Sequence, residues 1–151
     1  MPRVDAERLK RNANIIPDDN FLLEILFQES SRSVSSGRKQ GALLVKDGVI
    51  IATGHFESYG EIGQRKDKDK KASEVEIGSG AIENTLASCA KYGVAVCGVT
   101  LYTYTFPNAI VCKLIVKAGI SEIKYVKQSD NPLGLALCKE YNILMTQIKK
   151  S

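Results

Sequence analysis

Histidine is nearly absent from this chain: His55 stands alone among 151 residues. The four cysteines, Cys89, Cys97, Cys112 and Cys138, lie far apart and form no C-x-x-C pair. Metal sites draw on close-set ligands of these types, so spacing alone offers no metal centre. Reduced, partly buried thiols and a structural His55 are expected instead. A single imidazole also serves Ser/His/Asp or Cys/His catalysis poorly. No apolar run approaches the ~20 residues needed to cross a bilayer. Met1-Pro2-Arg3-Val4-Asp5 contains no apolar signal core, which points to a cytoplasmic protein with no membrane partner. No internal repeat is visible.

What is present has the composition of an ordinary globular protein, with 44% hydrophobic and 25% charged residues. The length suits one domain with a real core. The net charge of +4 is mild, so any attraction to nucleic acid depends on where the charges lie, and no nucleic-acid site is assigned.

Residues 1–16, with Arg3, Glu7, Arg8, Lys10 and Arg11, read as a polar helix or arm, and residues 17–151 as a single domain. Pro17-Asp18-Asp19 signals a helix start. Phe21, Leu22, Ile25 and Leu26 then give that helix one apolar face, which fades at Ser30-Ser31-Arg32-Ser33. Two apolar runs, 41–46 and 49–53, flank Asp47-Gly48, a pair that accepts the positive φ angles of a two-residue hairpin turn. Residues 55–79 read as a long polar loop, and the alternating charges from Arg65 to Lys71 as a solvated stretch.

A helix is expected from Ser79 or Gly80 to Lys91, closed by Gly93. A strand over 99–104 follows, then a helix over 108–118 ended by Gly119, and a strand over 122–126. That strand–helix–strand unit predicts parallel neighbours. Asn131-Pro132 opens a last helix, and 143–148 supplies a final strand. The sum is an α/β protein of about five strands with helices on both faces, its N-terminal hairpin joined to a parallel β-α-β core.

Several segments, in order, resemble the deoxycytidylate deaminase branch of the cytidine deaminase superfamily. Arg32-Ser33-Val34-Ser35-Ser36-Gly37-Arg38 is similar to R-S-T-C-x-x-R. Residues 41–48 and 51–54 are similar to the family's V-G-A-V-I-V-K-D-G and I-I-S-T-G hairpin. Asn84 falls on the asparagine of H-A-E-x-N, and Pro107 follows it at the family's spacing to P-C-x-x-C. Ala118-Gly119-Ile120 matches A-G-I. The resemblance implies a cytidine deaminase-like three-layer α/β/α sandwich.

In that family one His, two Cys and a proton-shuttling Glu make the site. The register sets the three zinc ligands on Gly80, Asn108 and Val111, and the catalytic Glu on Ile82. Glycine has no side chain, valine has no lone pair, and an asparagine amide is a poor zinc ligand. Cys112 and Glu83 each stand one residue late, which on a helix turns the side chain by ~100°. Thr53-Gly54-His55-Phe56 replaces the family's T-G-Y-N, and Arg38 matches a basic position near the nucleotide phosphate. Ile82 and Val111 are expected to face each other and close the old metal cavity.

The expectation is therefore a pseudo-deaminase, not an enzyme, with no zinc or other cofactor. It would act through protein binding as partner subunit, scaffold or inhibitor. The complex would be a homo-oligomer or an assembly with another protein, such as an active deaminase. The alternative is a nucleotide-binding regulator using the vestigial cleft, with a metal-free enzyme third.

Overall fold

The computed structural model describes residues 18–33, 40–58 and 78–149. The 1–16 arm, Arg38 and the charged run from Arg65 to Lys71 lie outside them. Helix α1 (Asp19–Ser31) starts where Asp18 accepts a hydrogen bond from the backbone N–H of Phe21 at 2.9 Å. This is the capping role of a short acidic side chain. Strands β1 (Gly41–Lys46) and β2 (Val49–His55) form the hairpin, with Asp47 and Gly48 at φ of 51° and 77°. Both turn residues thus take the left-handed conformation for which Asp-Gly is suited.

Two short strands, β3 (Glu57–Ser58) and β4 (Gly78–Ser79), pair antiparallel. The ends of the expected 55–79 loop are therefore ordered. The pairing sets Ser79 beside Glu57 and delivers the chain to helix α2 (Ala81–Tyr92). Asn84 fastens this junction, donating to the carbonyls of His55 at 2.9 Å and Ser79 at 3.1 Å. Strand β5 (Thr100–Thr105), helix α3 (Ala109–Ala118), strand β6 (Glu122–Lys127), helix α4 (Pro132–Glu140) and strand β7 (Leu144–Gln147) complete the order.

The main sheet runs β2-β1-β5-β6-β7. Its β1–β2 and β1–β5 pairs are antiparallel, and β5–β6 and β6–β7 are parallel. This is the α/β sheet that the hairpin and the strand–helix–strand pattern require. Strand β7 is shorter than expected, its flanking Ile143 and Ile148 being buried as core residues outside the ladder.

Alternation along β1 divides the core. Ala42 and Leu44 pack with Ile82, Val111, Ile115 and Cys138 from α2, α3 and α4. Leu43 and Val45 face the other way, against Leu22, Leu23 and Leu26 of α1. Successive strand side chains point to opposite faces, so one strand serves both layers. Each fully buried Leu or Ile contributes roughly 1.5–3 kcal/mol. Three helices on one face and α1 on the other make the three-layer sandwich.

Candidate functional site

The cleft forms at the carboxyl end of β5, where the N-termini of α2 and α3 converge. Crevices at the carboxyl ends of strands are the usual ligand positions in open α/β sheets. Here the cavity has a volume of about 560 Å3, and Gly80, Ile82, Asn108 and Val111 all line it. The four positions read from the sequence are thus brought to one place.

Each has a definite local role. Gly80 is the N-cap of α2, in extended conformation. Ile82 and Val111 are buried and belong to the core beneath the cleft. The expectation that they close the cavity is corrected: they form part of its floor, and the space above them remains open. Asn108 is the N-cap of α3, its Oδ1 accepting from the Val111 N–H at 2.9 Å. Arg38 lies outside the described residues.

A zinc ion fits this set poorly. Only Asn108 among the three ligand positions offers a donor atom, and that oxygen already caps a helix. Cys112 does not substitute. Its thiol is fully buried and turns to the Pro107 carbonyl at 3.6 Å. Its hydrogen bond with Cys138 and its burial push it far above the usual thiol range, so it stays protonated. Among the described residues, no group of three or more His, Cys, Asp or Glu could hold a metal. All four cysteines are free, and Cys97 is the exposed one.

His55 is structural. Its Nδ1 lies 2.9 Å from Glu29 Oε1, within a pair that ties β2 to α1, and it does not line the cavity. The neighbouring Phe56 does line it, buried at 3% exposure and held by its N–H to the Gln40 carbonyl at 3.0 Å.

The far wall is built by Asn131. Its Oδ1 caps α4 at Gly134 N–H (3.0 Å), while its Nδ2 donates to the Pro107 carbonyl at 2.7 Å. One amide thereby fixes the start of α4 against the entry to α3. Asn131 was legible as a helix cap but not as a wall of the site. Glu83 was also missed as a site residue. It lines the cavity, and its Oε2 accepts the Gly80 N–H at 3.2 Å. The signal for it was a Glu three residues past an N-cap, which reaches back to the cap's N–H.

No protein-family model and no curated protein matches the sequence. Solved structures do match. A dCMP deaminase from the cyanophage S-TIM5, in complex with dCMP and dUMP, is 19% identical with a TM-score of 0.63, over 97% of this chain and 100% of that one. A Thermotoga maritima deaminase/reductase of diaminohydroxyphosphoribosylaminopyrimidine is 21% identical with a TM-score of 0.62, over 83% of this chain and 34% of that one. A protein named NE0047, with 8-azaguanine, is 12% identical with a TM-score of 0.59, over 87% of this chain and 78% of that one. The neighbours named as deaminases overturn the expectation of a pseudo-deaminase that is not an enzyme: the fold is one in which enzymes work. The physical reason is that the residues at Gly80, Asn108 and Val111 bear on holding zinc and leave the rest of the cavity lining in place. The cavity stays open and keeps carboxylates, which are able to move protons. The chain has the cytidine deaminase-like fold.

Proposed function

We propose that this chain takes a nucleobase-bearing small molecule, a nucleoside or nucleotide, into the cleft between α2 and α3. The observation that carries this reading is the cavity itself, about 560 Å3 in volume. Small-molecule sites typically span roughly 300–1,000 Å3 and combine apolar walls with a few polar groups. Phe56, Phe106 and Ile82 give the cleft an apolar lining, and Thr103, Glu83 and Asn108 supply polar groups to orient a ring. The fold neighbours solved with dCMP and dUMP and with 8-azaguanine lend support, since each of those ligands carries such a ring. In this reading recognition belongs to side chains and main chain, without zinc at the register positions.

The test is a thermal-shift panel of dCMP, dCTP, dTTP, CMP, cytidine and guanosine. A ligand that binds only the folded state raises its stability by ~2.7 kcal/mol at a hundredfold excess over Kd. A clear shift with at least one member is expected; no shift with any would remove the reading. Ammonia release in the same mixtures would add turnover to recognition.

A second reading, self-association, has its own observation. Ile110 and Leu114 project from α3 at 71% and 44% exposure, and Leu133 from the adjoining α4 at 69%. Residues four apart share a helix face. Two large exposed apolar side chains on one face of α3 suit a contact between copies of the chain.

A further inference from the structure

We infer that Glu83 is the specificity-determining residue of this cleft, reading a ring edge with two adjacent N–H donors, as guanine presents. The inference rests on the ligand cleft proposed above and names the chemical class of its occupant. Glu83 stands in the first turn of α2, half-buried, in the cavity wall. Residue 80 has no side chain, and the carboxylate folds back into the vacant space. A Cβ placed on Gly80 would lie 2.6 Å from Glu83 Oε1 and 2.7 Å from Oε2. The space beside residue 80 that a side chain there would need is thus taken by a carboxylate from three residues on.

That carboxylate is under-used. Oε2 accepts the Gly80 N–H at 3.2 Å, and Oε1 takes no hydrogen bond among the described residues. An ionised carboxylate offers about four acceptor positions and no donor, so a ligand facing it must bring N–H or O–H groups. Asp130 is the other charged side chain among the described lining residues, and it is also acidic. The cleft thus opposes the chain's net charge of +4 and disfavours an anionic group against this wall.

Two parallel N–H···O bonds to one carboxylate are the strongest and most directional way to meet that demand. A ring N–H next to an exocyclic amine provides both. Hypoxanthine lacks the amine. Cytosine sets a lone pair beside its amine, facing one carboxylate oxygen with another acceptor.

Titration calorimetry of the full chain with guanosine, inosine and cytidine tests this. Guanosine and inosine differ by the one amine, and loss of a charge-assisted hydrogen bond should weaken inosine by about tenfold or more. Cytidine should also bind more weakly than guanosine. In Glu83→Gln the amide oxygen can still accept the Gly80 N–H, as glutamine does in such caps. The guanosine/inosine ratio should fall towards one with the melting temperature little changed. Gly80→Ala, whose Cβ displaces the carboxylate, should lower the same ratio with Glu83 intact. Equal binding of guanosine and inosine to the wild type, or a ratio unmoved in Glu83→Gln, overturns the inference while the cleft remains a ligand site. Binding of no nucleoside or nucleotide overturns both.

Discussion

At the scale of single residues, the cleft is held by side chains that cap its helices. Asn108 caps α3, and Asn108→Ala should cost ~1 kcal/mol, the usual loss for an N-cap amide. Urea denaturation measures it, and an unchanged midpoint would show the cap to be idle. Gly54 is a sharper case. A Cβ there would collide with Thr85 Oγ1 and lie 3.0 Å from the Ala81 carbonyl, because β2 passes close under the start of α2. Gly54→Ala should destabilise by roughly 1–3 kcal/mol, the range for overpacking. Elemental analysis of the purified chain should find no stoichiometric zinc, and one tightly held ion per chain would undo the assignment of Gly80, Asn108 and Val111. These three positions were legible only through the resemblance to the deaminase motifs, which set the register. The place of Glu83 was not, since it depends on an empty volume over Gly80 that no linear pattern records.

At the scale of elements, α1 is fastened to the sheet by a second polar cluster besides the Glu29–His55 pair. Tyr102 of β5 donates its hydroxyl to Asp19 at 2.6 Å, and Lys124 of β6 lies 3.0 Å from the same oxygen. Burial acts to raise the Asp19 carboxyl, but the hydrogen bonds from Tyr102 and Lys124 and the ammonium charge outweigh it and hold it below the usual carboxylate range. Burial, then the bond to Asp19, pushes the Tyr102 phenol well up, so it stays a donor. A depressed carboxyl stabilises the fold above its unfolded value and loses that contribution as pH falls through the folded value. Asp19→Asn should therefore melt below the wild type at pH 7. The gap should shrink as pH drops under about 4, the unfolded aspartate value. A gap independent of pH would sink the argument.

Helix and strand positions were largely legible, because Asp18, Asp47-Gly48, Gly93, Gly119 and Asn131-Pro132 punctuate the chain with caps and a turn. The β3–β4 pair was not, since two residues on each side carry no period. What registers them is tertiary: Asn84 reaching back from α2 to His55 and Ser79.

At the scale of the whole molecule, the exposed apolar pair Ile110 and Leu114 on α3 bears on assembly. Light scattering of the wild type should report a dimer or larger species, and Ile110→Glu with Leu114→Glu should return the chain to a monomer. A wild type monomeric at every concentration would end the self-association reading. No helix among the described residues is long and apolar enough to cross a membrane.

The strand order carries a further consequence, for synthesis. Strand β1 is early in the chain yet near the middle of the sheet, with Leu44 paired to Leu101 on one side and Ala52 on the other. On the ribosome the β1–β2 hairpin emerges before β5 and shows an unpaired, apolar edge until β5 follows. Such edges are templates for wrong pairing. Closing the long β1–β5 connection is the entropically expensive step that the local hairpin cannot hasten. A nascent chain ending before β5 should therefore engage holdase chaperones, and one that includes it should let them go.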